Sequence, residues 1–333
     1  MAICDPTGAL DLRGELGLIK TAAAKGVTTN TDGTWSIWTA FCRDLACDPF
    51  LQNITSPMPL LQIFASQYRV GTLAPSHSPV KSRTVEAALR AVGQTFAALG
   101  HQDPRLQPSG KLDFWLQRQL QSYKKTDPPP TRVKPIPLQI IHHVILHCYR
   151  TPDPRSNAIG QMIILGFFFL LRLGEYAHTN NPEAAPFCLC DVHLLRYNVR
   201  IDALRCAEEL LTSATHIAFE FTTQKNGVRG ELVMLGRSGH HILCPVLAAI
   251  ARLKHLRLHQ AHPTTHLYQY YNGRSWQAVN TYDLTQQFRA GASTLGHTVG
   301  IQAADISVRS LRSSGAMALL CADVDSDKIC LLG

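Results

Sequence analysis

The sequence predicts a mainly α-helical protein in two parts, with a small antiparallel sheet in the second part. Three observations predict this fold class. Apolar residues recur every three or four positions through most of the chain, which is the spacing of one helix face. Between residues 216 and 235 the spacing changes to the alternation of strands. A proline-dense basic segment, residues 124–137, separates an all-helical part from an α+β part.

The composition is that of a folded protein with room for two cores. The chain has 333 residues, 45% of them hydrophobic and 17% charged, which excludes a disordered chain. The net charge of +8 favours a polyanionic partner. The N-terminus lacks the pattern of a signal peptide, and the longest apolar run, residues 162–171, is about half of a membrane span. We therefore expect a soluble intracellular protein with no membrane partner.

The cysteines indicate neither a disulfide framework nor a zinc site. The sequence contains 10 cysteines, scattered along the chain, and several lie in apolar runs. We expect them to be reduced, buried thiols. Cys188 and Cys190 are spaced too closely for an ordinary zinc knuckle and are also predicted to be buried.

The first part is predicted to contain four helices after an N-terminal extension of residues 1–33. Residues 10–19 are compatible with one short helix, and residues 22–33 with a linker. Thr34 is a candidate N-cap for the first helix, which ends before Asp48. Apolar periodicity predicts three further helices, over residues 60–68, 85–99 and 111–123. The helical domain is assigned to residues 34–126, and a proline-rich linker to residues 127–137.

The second domain, residues 138–333, is predicted to alternate helices with short strands. A helix over residues 138–148 precedes a long apolar helix that runs to Arg172. Strands are expected over 197–201 and on both sides of the hairpin turn Asn226-Gly227, and a second hairpin around Asn272-Gly273. The remaining predicted helices cover residues 245–259, 282–295 and 311–320.

Four basic residues of the second domain could carry chemistry. Arg172 ends the apolar helix, and Glu175 follows one helical turn later. One interpretation of this pair is an ion pair at a helix end; the other is a guanidinium positioned to bind two oxygens of an anion. Lys225 lies at the tip of the predicted hairpin, and Arg309 and Arg312 lie one turn apart beside small residues. Each arginine could be a solvated charge, but together they indicate a phosphodiester held without a metal.

These residues and their order resemble the tyrosine recombinase (phage-integrase-like) family, and most closely its eukaryotic mobile-element branch of Crypton type. The resemblance rests on Leu170-Leu-Arg172-Leu-Gly-Glu175, Thr222-Thr-Gln-Lys225-Asn-Gly and Arg309-Ser-Leu-Arg312-Ser-Ser-Gly-Ala, which follow a helical domain. It implies that residues 34–126 are a core-binding (SAM-like) domain and residues 138–333 a catalytic domain. The two would clamp double-stranded DNA, as a tetramer and in the nucleus.

The resemblance also implies a reaction that needs no metal and no small-molecule cofactor. A tyrosine hydroxyl would attack a DNA phosphate and form a 3′-phosphotyrosyl link, so that strands are cleaved and rejoined. Arg172 and Arg312 would bind the non-bridging oxygens, Lys225 would act as general acid, and Glu175 would brace Arg172.

Two departures from the family pattern predict that the chain is catalytically incomplete. Arg309 stands where the family has histidine, and a guanidinium cannot act as a base near neutral pH. The sequence also stops at Gly333, before the position of the family's nucleophile, which reads as a C-terminal truncation. Three hypotheses follow: a recombinase, a non-catalytic DNA clamp derived from a transposon integrase and, more weakly, a helical protein-interaction scaffold. Four tyrosines of the second domain precede Arg312 and so stand in the wrong order to be the family's nucleophile: Tyr268, Tyr270, Tyr271 and Tyr282.

Further basic residues and histidines complete the set of candidates. Five basic residues that flank the helical domain and the linker are predicted to contact the DNA backbone: Lys81, Arg83, Lys124, Lys125 and Lys134. Four histidines with the spacing of metal ligands are interpreted as a polar helix face and the loop after it, so no metal site is expected: His255, His259, His262 and His266.

Overall fold

The computed structural model describes residues 28–52, 54–129, 134–181, 184–221 and 230–332, with side chains between residues 33 and 329. The chain divides into two compact units, residues 1–130 and 131–333. The division lies inside the segment that the sequence analysis assigns to the linker. Within the described residues, no helix is long and apolar enough to cross a membrane.

The first unit contains the four predicted helices. They are α1 (Thr28–Asp44), α2 (Met58–Val70), α3 (Ser82–Ala98) and α4 (Phe114–Thr126). The predicted start of α1 at Thr34 is wrong, because the helix already includes residues 28–33, which had been assigned to a linker. The polar, glycine-bearing stretch disfavours nucleation of a helix, but adding residues to a helix that is already anchored costs little.

An aromatic cluster forms the core of the first unit. Trp38, Phe64 and Phe96 are almost completely buried, and the rings of Trp38 and Phe64 meet edge to face with centroids 5.2 Å apart. Leu116 and Leu120 bring the inner face of α4 onto the same core. Burial of each of these large side chains contributes about 1.5–3 kcal/mol to the stability of the first unit.

The second unit is mainly helical and carries a small antiparallel sheet, as predicted. Its elements, in chain order, are α5 (Leu138–Arg150), α6 (Pro154–Phe168), α7 (Leu173–Tyr176), β1 (Val192–Arg196), β2 (Val199–Ile201), α8 (Glu208–Thr212), β3 (His216–Phe221), β4 (Glu231–Gly236), α9 (Pro245–Leu258), β5 (Gln269–Tyr271), β6 (Trp276–Ala278), α10 (Thr281–Val299), α11 (Ser310–Cys321) and α12 (Ser326–Leu332).

The four-stranded sheet has the order β2-β1-β3-β4, and all its neighbours are antiparallel. The predicted strand over 197–201 is partly wrong. Tyr197 and Asn198 form the two-residue turn between β1 and β2, with φ of 50° and 65°. Positive φ at both central residues gives the twist that a tight hairpin needs. Strands β3 and β4 pair as predicted, whereas their turn, with Lys225, Asn226 and Gly227, lies outside the described residues.

Helix α6 runs through the middle of the second unit but ends before Arg172, contrary to the prediction. Its residues 158–167 are all buried. Leu170 has a φ of 51°, and the Leu171 N–H donates to the carbonyl of Gly166 at 3.0 Å. This bond closes the helix in a left-handed cap. The sequence carries no glycine at the cap, which is the usual signal, so periodicity alone extended the helix too far.

Part of the predicted linker belongs to the second unit. The Ile136 N–H donates to Ser314 Oγ at 2.6 Å, and Ile136 itself is buried. Lys134 Nζ lies 2.8 Å from Asp305 Oδ2. Residues 134–137 are therefore held against the second unit, whereas the proline content predicts a semi-rigid spacer.

The cysteines are less uniformly buried than predicted. The cysteines whose side chains are described are all free, and Cys42, Cys148 and Cys244 are buried. Cys190 and Cys321, by contrast, are exposed, and Cys188 is only partly buried. Cys190 lies within a 3₁₀ turn, Leu189–Asp191, that leads into β1, a tertiary position that local hydrophobicity does not reveal.

Candidate functional site

Arg172 and Glu175 are hydrogen-bonded to each other at the start of α7. The Glu175 carboxylate accepts a hydrogen bond from the Arg172 backbone N–H at 2.6 Å and lies 3.2 Å from Arg172 Nη1. The Glu175 N–H in turn donates to the Arg172 carbonyl at 2.8 Å. This is a capping box in which the carboxylate also pairs with the side chain of the cap residue. The predicted ion pair is thus present, but at the start of a short helix and not at the end of a long one.

Helix α11 is packed so closely on α6 that its first turn is fixed beside α7. A Cβ on Gly315 would lie 2.4 Å from the Phe167 carbonyl oxygen, which leaves no room for any side chain there. The Tyr176 hydroxyl, completely buried, donates to the Val308 carbonyl at 3.4 Å. These contacts tie the turn that carries Arg172 to the segment that precedes Arg312.

The same packing brings Arg312 into the electrostatic field of Arg172 and Glu175. Burial lowers the pKa of the Arg312 guanidinium, the positive charge of Arg172 lowers it further, and the charge of Glu175 acts in the opposite direction. We refer to Arg172, Glu175 and Arg312 as the arginine cluster. It contains two cations and one carboxylate, so one positive charge remains unbalanced inside the cluster.

The exposure of the arginine cluster suits an external anion. The Arg172 side chain is 38% exposed and that of Glu175 only 13% exposed. The carboxylate is therefore held inside while part of the guanidinium faces solvent. Arg312 is partly buried. Guanidinium groups positioned in this way can donate several parallel hydrogen bonds to phosphate or carboxylate oxygens.

The other two predicted catalytic residues are Arg309 and Lys225. Arg309 precedes α11, is exposed, and donates its backbone N–H to Ser307 Oγ at 3.3 Å. Lys225 lies outside the described residues. The roles predicted for both therefore stay predictions.

Four of the five predicted DNA-contacting residues lie near two helix ends of the first unit that one partly buried carboxylate joins. Asp127, just after α4, accepts hydrogen bonds from the Ser82 N–H and hydroxyl and from Arg69. Above all the Ser82 hydroxyl, and then its N–H and Arg69, hold the pKa of Asp127 below its usual range. The contact joins the start of α3 to the end of α4. The predicted basic residues that flank these two ends are therefore brought near one another: Lys81, Arg83, Lys124 and Lys125.

The fifth predicted residue, Lys134, belongs to the other unit. Its ammonium group is paired with Asp305, and its own N–H donates to the Asp305 carbonyl at 3.3 Å. A lysine already paired with a carboxylate is a weaker ligand for DNA phosphates than an unpaired one.

Two of the four histidines with metal-like spacing make structural contacts. His255 Nε2 accepts the Tyr271 N–H at 3.0 Å and so holds the β5–β6 hairpin on α9. His266 Nδ1 lies 3.3 Å from Cys188 Sγ. Within the described part of the chain, no group of three or more His, Cys, Asp or Glu residues could hold a metal ion.

Sequence reasoning missed the residues that position the arginine cluster. Gly315 lies in a stretch of small residues that signals close packing, but not its contact with Phe167. No sequence signal marks Tyr176 or Leu170, because their roles depend on which elements meet. Leu170 is buried with a left-handed φ, a conformation that costs a residue with a side chain about 1–3 kcal/mol.

Among solved structures, the chain is similar to the Tn1549 transposon integrase (residues 82–397) in complex with circular intermediate DNA. The sequence identity is 11%, the TM-score is 0.43, and the match covers 90% of each chain. No protein-family model and no curated protein matches the chain.

Proposed function

We propose that this chain is a DNA-binding protein of the tyrosine recombinase type, active in DNA integration or recombination. One observation carries the proposal: the Tyr176–Val308 hydrogen bond joins the turn of Arg172 to the segment before Arg312, and the charge of Arg172 lowers the pKa of Arg312. In this proposal the two guanidinium groups bind the non-bridging oxygens of one phosphodiester and stabilise the negative charge that develops there.

The remaining parts of the proposal come from the resemblance of the sequence motifs. Lys225 would protonate the departing oxygen, and Arg309 would add a further contact to phosphate. Residues 34–126 would bind double-stranded DNA as a core-binding domain, and the protein would assemble as a tetramer in the nucleus. The Crypton-type branch is the proposed place of the chain within the family.

A non-catalytic DNA clamp is the second candidate function. One observation favours it: Arg309, at the position of the family's histidine, is exposed and cannot accept a proton near neutral pH. In addition, the tyrosine nearest to the arginine cluster in sequence, Tyr176, is buried, and its hydroxyl already donates to Val308. Burial raises the pKa of Tyr176, which makes this hydroxyl a poor nucleophile.

A nicked suicide substrate distinguishes the two functions. A recombinase leaves a covalent protein–DNA adduct that survives denaturation, whereas a clamp binds the same DNA without an adduct. In both cases affinity must fall steeply with salt. Arg172→Ala and Arg312→Ala should each weaken binding, whereas Arg289→Ala, which removes an exposed charge from α10, is the matched control. A DNA affinity that does not change with salt, or an equal loss of affinity in all three variants, would exclude the proposed site.

A further inference from the structure

Helix α4 has one face in the core of the first unit and the opposite face in solvent. Leu116 and Leu120 point inward and are buried. The outward face carries Phe114, Arg118 and Lys125, all exposed. The outward residues follow the spacing of four and seven residues that keeps side chains on one side of a helix. This face therefore forms a continuous stripe along the whole helix.

The stripe is positively charged and has little internal neutralisation. The sequence of α4, FWLQRQLQSYKKT, contains no acidic residue. Lys124, at the side of the stripe, pairs with Glu86 at 3.4 Å. Among the residues that the structure describes, Arg118 and Lys125 have no ion-pair partner. Because these two cations are unpaired, the stripe is complementary to a polyanion.

Two large aromatic side chains are exposed at the start of the stripe. Phe114 is 52% exposed and Trp115 is 64% exposed, with their rings edge to face and centroids 5.3 Å apart. The Arg118 guanidinium lies 5.8 Å from the centre of the Phe114 ring. Leaving two adjacent aromatic rings in water forfeits their burial energy, and such patches typically mark interaction sites. The Trp115 indole offers a flat surface for stacking.

The size of the stripe fits a short stretch of nucleic acid. Phe114 and Lys125 are separated along the helix axis by about 16 Å, at 1.5 Å per residue. Phosphates on one DNA strand follow one another at about 3.4 Å along the helix axis, so the stripe covers roughly five nucleotides. An acidic protein could neutralise the charges but would leave the indole without a planar partner.

We propose that the outward face of α4 binds DNA that contains unstacked bases, with Trp115 stacked on a base and Arg118 and Lys125 on the phosphates. This inference rests on the proposed DNA partner and adds a contact surface in the first unit. Stacking on an aromatic side chain tolerates any base, because every base has a π-face. The surface thus selects distorted or partly single-stranded DNA without reading its sequence.

The test compares the full-length protein on two labelled DNAs of equal length, an intact duplex and the same duplex with a few unpaired bases. Wild type should prefer the unpaired form. Trp115→Ala should weaken binding of the unpaired form about 5- to 100-fold and leave the intact duplex nearly unchanged. Arg118→Ala and Lys125→Ala should weaken both forms equally and each reduce the salt slope by about one phosphate contact.

Two control variants remove an exposed apolar side chain and an exposed charge elsewhere in the first unit. Leu99→Ala removes a side chain that is 53% exposed in the same unit, and Arg43→Ala removes an exposed charge from α1. Both should bind like wild type, and circular dichroism confirms that each variant folds.

The outcomes separate this inference from the proposed function. Salt-dependent binding that is unaffected by Trp115→Ala overturns the stacking surface but leaves the DNA-binding function standing. Absence of DNA binding in wild type overturns both. Poly-glutamate that competes as well as DNA, and is weakened equally by Trp115→Ala, overturns the surface in favour of an acidic protein partner.

Discussion

The closest contact between α6 and α11 gives the sharpest prediction about the arginine cluster. In Gly315→Ala, the new methyl group would lie 2.4 Å from the Phe167 carbonyl oxygen and 2.5 Å from Leu170 Cδ2. Non-bonded carbon contacts are normally about 3.5–4.0 Å, so α11 must move by roughly 1 Å. Alanine gains about 1 kcal/mol of helix propensity over glycine, but overpacking costs about 1–3 kcal/mol. Because the clash is with the backbone, the upper part of that range applies, about 2–3 kcal/mol, and we expect a net loss of about 1–2 kcal/mol in the free energy of unfolding.

A matched variant tests whether packing, and not propensity, decides this result. Gly33 lies in α1 and has nothing within 4 Å of the position of a Cβ, so Gly33→Ala should stabilise the protein by about 0.5–1 kcal/mol. Both variants are measured by urea denaturation of the full chain. Hydrogen exchange of peptides from α6 and α11 localises the effect. A Gly315→Ala variant as stable as wild type would refute the packing argument.

The same substitution should also affect phosphate binding. A shift of α11 by about 1 Å moves Arg312 relative to Arg172, and misplacement on this scale can cost about 100-fold in function. We therefore expect Gly315→Ala to weaken DNA binding at temperatures where the variant is still folded. Unchanged affinity in a destabilised variant would mean that the two arginines do not bind the same phosphate.

Three further predictions concern charge. Glu175→Gln should lower the free energy of unfolding by about 1–2 kcal/mol, measured in urea, because Arg172 loses its charged partner beside a second cation. Asp127→Asn should lower the melting temperature at neutral pH, because the carboxylate that accepts from Ser82 is lost. The pKa of Asp127 is lowered by folding, so this contribution is present above about pH 4 and is lost as the pH falls below it. Burial lowers the pKa of His255 to about 4, against about 6.5 when unfolded. Stability should be full above pH 6.5 and decrease towards pH 4, because the unfolded chain binds the proton first; a series of melting temperatures measures this.

Each of these predictions has a control in the same unit. Glu209→Gln removes an exposed carboxylate from α8 and should change stability by less than about 0.5 kcal/mol. Asp44→Asn, at the exposed end of α1, should leave the melting temperature unchanged. His262→Gln should keep the acid dependence, which a His255→Gln variant should reduce. Equal effects of a variant and its control would contradict the corresponding assignment.

Local pattern predicted most helices but not where they end. The periodicity of α2, α3 and α4 is clear, since one face of each packs on the aromatic core, and the structure contains all three. The end of α6 was missed because Leu170, not glycine, adopts the left-handed cap. Its side chain is buried against α11, and this packing compensates for the energetic cost of the left-handed backbone conformation. No local feature of the sequence indicates that conformation.

The fold class, the order of the basic motifs and the candidacy of Arg172, Glu175 and Arg312 could all be predicted from the amino-acid sequence. Those properties follow from spacing and residue type, which are local. That the segments of Arg172 and Arg312 are joined follows from tertiary contacts, namely the Gly315–Phe167 contact and the Tyr176 hydrogen bond. The tertiary structure also decided that α4 leaves two aromatic rings in solvent. These features depend on contacts between segments that are distant in the sequence. Such contacts leave no local signal in the residue types or spacing of either segment.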